Sequence, residues 1–364
     1  MDLTPDPLLE RLGRTLRSRL AQVPPSRDAD ALDGALAVWR ESEAPAFESP
    51  VASGGLDLGL ATGTAVCAEL GRCALPDVYA GGALVADALR AGDAGPEPAA
   101  MLARGELTVT VAGLDRVPAR SGRHGAPVAR RVTVGWELAG RVTIDAVRDE
   151  KAHLCVPVVD GDETLLALLA SDVVADRARP APGGSPVADL TGVVVTPADL
   201  VGSLGSGWPL SDPGLVLARA RVRQAAYLLG LAQGGYELAV AHARSRRQFD
   251  RPITEFQAVS FPLAQASIAL SAVRLSVLRA AWSADHGMEF ARQAAQCLAM
   301  AAETATRTIR HAVQVHGARG MSRQAAVHVF YEALRSETAR FGQPGALWCE
   351  AGARRLAERL PECE

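Results

Sequence analysis

The chain has 364 residues, enough for two or three domains and for a large core that needs neither disulfides nor metal. Hydrophobic residues make up 48% and charged residues 22%, as in an ordinary globular enzyme, and the net charge of −3 argues against a broad basic face for nucleic acid. The six cysteines form no C-x-x-C pair, so zinc-ribbon or thioredoxin-type chemistry is not expected. Scattered cysteines fit a reducing compartment, and we predict a cytoplasmic protein.

The first part of the chain is rich in alanine and leucine and predicts helices. Leu8, Leu12, Leu16 and Leu20 recur every four residues, which indicates an amphipathic helix rather than a signal peptide. No uninterrupted apolar run reaches about 18 residues, so a membrane-spanning helix is not predicted. We assign residues 1–105 to an N-terminal helical domain.

The composition changes over residues 106–205. Valine and threonine become frequent, short runs alternate between apolar and polar residues, and glycine, proline and aspartate separate the runs. A period of two with such breakers is typical of β-strands. We predict a middle β-domain of five or more strands, built as a small barrel or a sandwich.

The helical period then returns and continues through the last third of the chain. Residues 217–245 predict one long, mostly buried helix. Thr254 and Gln257 have the spacing of a capping box for a second helix, and Gly317 is placed to end a third. Long helices with short links predict a C-terminal four-helix bundle over residues 206–364, and the fold class is therefore α+β multidomain.

Two segments of the C-terminal region are more specific. One is Arg246-Arg247-Gln248-Phe249-Asp250-Arg251-Pro252-Ile253, followed by Phe256-Gln257, and the other is Gln314-Val315-His316-Gly317-Ala318-Arg319-Gly320. With the helix–strand–helix order, they resemble the acyl-CoA dehydrogenase family, which carries R-x-Q-F-G-x-P-I-x-x-F-Q and Q-x-x-G-G-x-G at these places. The run AELGRCALP at 68–76 also resembles the family's E-E-L-G-R segment. The resemblance implies the family's fold, FAD as cofactor, and an acyl-CoA or related thioester as ligand.

The resemblance also implies a set of cofactor-binding residues: Arg246, Gln248, Phe249, Gln314, Gly317 and Gly320. Arg246 can offer a charged fork to the FAD diphosphate, Phe249 an apolar surface to the adenosine, and Gln314 amide donors and acceptors. The two glycines let backbone approach the cofactor. In this family such contacts reach the FAD of the neighbouring subunit. Asp250 and Ala318 replace two family glycines, and Asp250 adds a negative charge near the diphosphate.

The catalytic base of the family is missing from this chain. The family reaction is α,β-dehydrogenation of an acyl-CoA, in which a glutamate removes the α-proton while hydride leaves the β-carbon for the flavin. The resemblance places Phe341 at the common position of this glutamate and Ala220 at its alternative position, and neither side chain can take a proton. Glu337, one turn from Phe341, is expected to be a solvated helix residue. The tryptophan and threonine that cover the flavin ring in the family are also missing, and we interpret Thr110 as an ordinary strand residue.

The seven histidines show no metal-ligand spacing. His311 and His316 are five residues apart and do not share a helix face, so no metal site is predicted.

Two functions remain open at this stage. In the family, the residues that this chain retains act on the FAD of a neighbouring subunit, and the residues that it lacks act on the FAD of their own subunit. This asymmetry favours the base-less subunit of a heteromeric, FAD-dependent acyl-CoA dehydrogenase of lipid metabolism, acting on a bulky or sterol-derived acyl-CoA. The alternative is a homo-oligomer with a divergent, non-redox or binding role on an acyl thioester or a natural-product intermediate. Both functions predict an oligomer. The heteromeric dehydrogenase also implies a related subunit and an electron-transfer partner. Neither function predicts binding to nucleic acid or to a membrane.

Overall fold

The computed structural model describes residues 6–91, 96–114, 127–144, 149–161, 163–180, 185–206 and 214–359. The chain begins with five helices: α1 (Pro7–Leu20), α2 (Ala29–Glu41), α3 (Leu60–Arg72), α4 (Ala80–Ala91) and α5 (Pro96–Ala103). Helix α1 is amphipathic, as its leucine period predicts. Asp6 caps its first turn by accepting a hydrogen bond of 2.8 Å from the amide of Leu8, while Leu16 and Leu20 are buried.

In the described part of the next region the chain forms the strands β1 (Val109–Val111), β2 (Val128–Val132), β3 (Gly135–Ala139), β4 (Arg141–Thr143), β5 (His153–Asp160), β6 (Glu163–Leu169), β7 (Ala178–Arg179), β8 (Val187–Asp189), β9 (Val194–Val195) and β10 (Leu200–Ser206), with the short helix α6 (Ser171–Ala175) after β6. One sheet has the order β10-β6-β5-β2-β3-β9, and β1 pairs in parallel with β5. The second sheet has the order β4-β8-β7. Leu138, Leu154 and Ala188 belong to one buried cluster that spans both sheets, so this region is a sandwich.

The last region contains five helices: α7 (Gly214–Ser245), α8 (Gln257–Asp285), α9 (Ala291–His316), α10 (Ala326–Glu337) and α11 (Pro344–Arg359). A hairpin of two short strands, β11 (Arg247–Gln248) and β12 (Arg251–Pro252), joins α7 to α8. Helix α9 ends at Gly317, whose φ of +61° is the left-handed conformation that glycine adopts most readily, so that prediction is confirmed. The capping box at Thr254 is wrong, because Ile253–Glu255 forms a 3₁₀ turn and α8 begins at Gln257 without a side-chain cap.

Helix α7 lies at the centre of the molecule, and every residue from 216 to 232 is buried. It crosses α3 at very short range. A Cβ on Gly71 would lie 2.0 Å from the carbonyl oxygen of Tyr227, and one on Gly230 would lie 1.9 Å from that of Ala68. Two glycines therefore allow the backbones of α3 and α7 to touch.

A buried charge network ties α7 to the N-terminal helices. Arg223 is fully buried and donates to Glu48 at 2.6 and 2.8 Å and to Asp87 at 2.6 Å. Arg219 donates to the same two carboxylates at 2.8 Å each, and the hydroxyl of Tyr79 donates to Glu48 at 2.9 Å. Because removing one partner would leave a buried charge uncompensated, this network holds the two helical regions in one arrangement.

The predicted fold class is confirmed: helices, a β-sandwich and a C-terminal helical bundle follow one another along the chain. The change from helix to strand falls between Ala103 and Val109, and the return to helix falls between Ser206 and Gly214. The domain boundaries at 105 and 205 remain predictions from composition.

Helix α8 is long and apolar enough, by length and composition alone, to cross a membrane. In its most apolar window, 22% of the residues are buried against the rest of the chain. One such helix is weak evidence, and α8 packs on α7, α9 and α3 as a member of the bundle. Three large apolar side chains on it, Phe261, Ile268 and Leu275, are exposed.

Candidate functional site

The position that the resemblance assigns to the base lies in the turn between α10 and α11. Phe341 occupies it with a side chain that is 0% exposed and a backbone φ of +63°. One buried side chain holds this turn from inside the bundle. Arg221, itself buried, donates to the carbonyl oxygen of Phe341 at 3.1 Å and to Glu350 at 2.8 Å. The alternative base position, Ala220, is also 0% exposed, on α7. Neither position carries a carboxylate, and both side chains are closed off from solvent.

The expectation that Glu337 is solvated is wrong, since its side chain is 1% exposed. It accepts from Arg27 at 3.0 Å, pairs with Arg340 at 3.4 Å, and lies 3.4 Å from the amide nitrogen of Gln224. Burial by itself would raise the pKa of Glu337, but the charges of Arg340 and Arg27 outweigh it and lower that pKa. A general base for an α-proton needs a raised pKa, so this pairing makes Glu337 poorly suited to that task.

The space beside Phe341 is too small for the flavin ring and thioester that the family places there. Leu32, Val109, Asp77 and Arg340 are among the residues that line it, together with Thr110 of β1. The cavity measures about 40 Å³. Ligand pockets are typically about 300–1,000 Å³, and a single water takes about 30 Å³. The described residues around Phe341 therefore leave no cavity of ligand size beside it.

The β-side of this cavity agrees with that conclusion. Thr110 lies in β1 and pairs with Leu154 of β5, which is the ordinary strand role predicted for it. By the resemblance, the two segments that contact the flavin ring in the family correspond to residues 108–115 and 143–146 of this chain. Asp115 in the first and Asp145 in the second lie outside the described residues.

The residues that act on a neighbour's FAD in the family lie together on a different face. Arg246, Gln248 and Phe249 are exposed at the end of α7 and on the β11–β12 hairpin. Phe249 is 86% exposed, and its ring meets that of Phe256 edge-on, with the ring centroids 6.3 Å apart. The guanidinium of Arg251 stacks on Phe256 at 4.2 Å. This arrangement presents an apolar ring and several cations to the outside.

The end of α9 completes the same face. Gln314 and Gly317 are exposed, and Gly320 is buried where a Cβ would lie 2.5 Å from the carbonyl oxygen of Val313. The ring of His242, one turn before Arg246, stacks on the ring of His316 with centroids 4.3 Å apart. This stack brings the ends of α7 and α9 together. The donor set of cations, amide and aromatic ring fits a diphosphate joined to a nucleoside.

Asp250 and Ala318 replace glycines on this face. Asp250 has a φ of +63°, and the preceding Phe249 has a φ of +49°, so both central residues of the hairpin turn are left-handed. Asp is one of the few residues that tolerate this conformation, although glycine adopts it at lower cost. Arg247 donates to the backbone carbonyl of Asp250 and not to its side chain. Asp250 itself is exposed.

The sequence alone did not reveal the His242–His316 stack or the buried arginines of α7. His242 carried no signal because it lies 74 positions before its partner, and stacking depends on how the two helices cross. Within the described part of the chain no group of three or more His, Cys, Asp or Glu could hold a metal ion.

These features define an architecture of N-terminal helices, a β-sandwich and a C-terminal helical bundle. Residues 205–355 match the family Acyl-CoA dehydrogenase, C-terminal domain. The chain is 38% identical over 107 residues to "Probable acyl-CoA dehydrogenase YngJ" of Bacillus subtilis (strain 168), a stretch covering 29% of this chain and 28% of that protein. The matches to curated relatives thus span only about a third of their length. By its C-terminal region the chain is similar to the acyl-CoA dehydrogenase family, since residues 205–355 match the C-terminal domain of that family.

Solved structures establish the fold over the whole chain. The ChsE4-ChsE5 complex from Mycobacterium tuberculosis is 24% identical, with 100% of both chains covered and a TM-score of 0.78. A glutaryl-CoA dehydrogenase from Mycobacterium smegmatis, determined in complex with FADH2, is 17% identical, covers 96% of this chain and 95% of that one, and has a TM-score of 0.78. The predicted fold agrees with these findings.

Proposed function

We propose that this chain is the base-less subunit of a heteromeric, FAD-dependent acyl-CoA dehydrogenase and that it completes the FAD site of a related partner subunit. One contrast carries the proposal. The chain's own base position is closed around Phe341 and a cavity of about 40 Å³, whereas Arg246, Phe249 and Gln314, which reach a neighbour's FAD in the family, are retained and exposed. A chain that works alone would need the first site, and a chain that works on a partner needs the second.

In the complex, the flavin would accept the hydride from the acyl β-carbon, and the partner would supply the base. This chain's residues would bind and orient. Arg246 would hold the diphosphate, and Phe249 would cover the adenosine. Gln314 would offer amide donors and acceptors to the same nucleotide. The substrate we propose is an acyl-CoA, bulky or sterol-derived, and the electrons would leave through a separate electron-transfer partner. The ChsE4-ChsE5 structure, a complex of two named chains, supports a mixed assembly for this fold.

A second candidate is a homo-oligomer that binds an acyl thioester or a natural-product intermediate. A groove of about 920 Å³ between α1, α3, α7 and α8 favours it. Leu12, Leu229 and Val277 line its apolar floor, and Arg14 and Arg274 stand among its polar residues. A volume of this size is within the range of ligand sites. Direct binding of an acyl-CoA by the chain alone, without flavin, would support this candidate over the first.

The test of the heteromer is co-expression with a related, base-containing acyl-CoA dehydrogenase. We expect a mixed complex by native mass, with flavin absorbance and activity that neither chain shows alone. Arg246→Ala should lower FAD retention roughly 10- to 100-fold, because a hydrogen bond to a charged group contributes about 1.5–3 kcal/mol. Arg355→Ala, an exposed arginine on α11, is the matched control and should change nothing. A pure homo-oligomer that holds stoichiometric FAD and dehydrogenates an acyl-CoA would overturn the proposal.

A further inference from the structure

The His242–His316 stack lies inside a group of positive charges. His316 belongs to α9, and its Nδ1 lies 2.8 Å from the carbonyl oxygen of Ala312. Because a carbonyl oxygen only accepts hydrogen bonds, Nδ1 of His316 carries the proton and donates it to this contact, and Nε2 is available to a second partner. His242 stands on α7, one turn before Arg246, and both rings are half-buried. Two imidazoles at 4.3 Å are too close to be charged together without an anion nearby.

The charged groups that face His242 are all basic. They are His316 on α9, Arg246 after α7, and Arg319 in the turn that follows α9. Among the described residues, no carboxylate forms an ion pair with Arg246 or Arg319. Burial lowers the pKa of His242 below its ordinary value, and the three positive neighbours lower it further. The hairpin on this face also carries the exposed carboxylate of Asp250, but the cations outnumber it, and a net positive set of groups suits an anionic ligand.

We infer that His242 and His316, together with Arg246 and Arg319, form a proton-linked site for the diphosphate of the partner's flavin nucleotide. The inference rests on the proposed function, in which this face meets the partner's FAD. Each phosphate of a dinucleotide diphosphate carries one negative charge. Arg246 and Arg319 neutralise that charge at any pH, and the histidine pair adds one further donor when it takes up a proton.

The sign of the pH dependence follows from the same charges. In the free site the positive neighbours oppose protonation of the pair. A bound diphosphate cancels them and raises the pKa of His242, so binding is coupled to proton uptake at pH values between the free and the bound pKa. Affinity for the diphosphate is therefore highest below that window, and it falls as the pH rises through the pKa of the occupied site.

The test uses the full chain alone, with ADP-ribose as the probe and adenosine as the phosphate-free control. Nuclear magnetic resonance of ring-labelled histidine reports the pKa of each imidazole. We expect ADP-ribose, and not adenosine, to raise the pKa of His242 by about half a unit to one unit. Calorimetry in two buffers should show uptake of about 0.3 to 0.5 of a proton at most, with binding roughly two- to fivefold weaker at pH 8 than at pH 6.

Three variants sharpen the result. His242→Gln and His316→Gln should each flatten the pH dependence, and making both keeps the test valid if one fails to fold. His286→Gln is the matched control, because His286 also stacks on a ring, that of Trp282 at 4.2 Å, and also contacts a carbonyl through Nδ1 at 2.8 Å. This control should behave as the natural chain.

The outcomes separate this inference from the proposed function. Absence of ADP-ribose binding at millimolar concentration, or binding without proton uptake, overturns the inference. If the complex loses FAD on Arg246→Ala but retains its pH dependence in His242→Gln, the heteromer stands and the proton-linked site does not. If ADP-ribose binds with proton uptake and no partner is ever loaded with FAD, the site stands and the heteromer does not.

Discussion

At the scale of single residues, Phe341 combines full burial with a left-handed backbone, φ +63°, which is strained for a bulky side chain. Phe341→Glu places a carboxylate at the family's base position but buries it beside Glu337 in a cavity of about 40 Å³. We expect the free energy of unfolding to fall by more than about 3 kcal/mol, with no gain in dehydrogenase activity. Urea unfolding and an activity assay of the complex measure both.

Phe341→Leu is the matched control for that change, because it keeps an apolar side chain in the same space. We expect it to cost no more than about 1.5 kcal/mol of stability. A Phe341→Glu chain that is as stable as the leucine variant, retains FAD by itself and oxidises an acyl-CoA would show that the site is open, contrary to the packing described.

Asp250 affects the FAD-facing hairpin through its charge and through its backbone, and two substitutions separate these effects. Asp250→Asn removes the charge and keeps a residue that tolerates φ +63°. Asp250→Gly removes the charge and the strain, and we expect a gain in stability of up to about 1 kcal/mol. Both should improve FAD retention by the complex to a similar extent, more at low salt than at high salt. An improvement confined to glycine would assign the effect to the backbone instead.

The residues of the site were predictable in unequal measure. Motif spacing located Arg246, Phe249 and Gln314, and these do lie on one exposed face. The same reasoning was wrong about Glu337, because its partner Arg27 is 310 positions away and becomes a neighbour only after the two helical regions pack. Burial of a charge depends on such distant partners, and a local sequence pattern does not contain them.

At the scale of elements, the crossing of α3 and α7 depends on two glycines. We expect Gly230→Ala to lower the free energy of unfolding by about 1–3 kcal/mol, because its Cβ would lie 1.9 Å from the carbonyl oxygen of Ala68. Gly352→Ala on α11 is the matched control, since nothing lies within 4 Å of its Cβ position. There the better helix propensity of alanine should raise stability by about 0.5–1 kcal/mol. Equal effects at both positions, measured by thermal or urea unfolding, would contradict the close contact.

Helices with a long, regular hydrophobic pattern could be predicted from the sequence, whereas the pairings between distant strands could not. The long apolar run of α7 indicated a buried helix, and Gly317 indicated the end of α9. In contrast, β1 pairs in parallel with β5 across 44 residues of sequence, and the alternation of the strands is equally compatible with a barrel or a sandwich. The partition into two sheets is decided by which faces pack together, which is a property of the assembled core.

At the scale of the whole molecule, the exposed face of α8 predicts assembly. Phe261, Ile268 and Leu275 follow one another at intervals of seven residues, so they lie along one side of the helix, and they are 58%, 72% and 49% exposed. A continuous apolar stripe of this kind on a stable monomer would be unusual. We therefore expect a dimer or tetramer, with a related partner or with itself, in which α8 is covered.

Ile268→Glu tests this expectation. A buried charge without a partner costs far more than an exposed one, so the substitution should break the assembly while leaving the fold of each chain intact, because Ile268 points away from its own core. Leu356→Glu on α11, where the natural leucine is 62% exposed, should leave the assembly unchanged. Sedimentation and native mass spectrometry measure the mass, and circular dichroism confirms that the helices remain. If the unsubstituted chain, alone or with its partner, stays at 38.1 kDa at micromolar concentration, the stripe has another role and the FAD face of this chain would have no neighbour to serve.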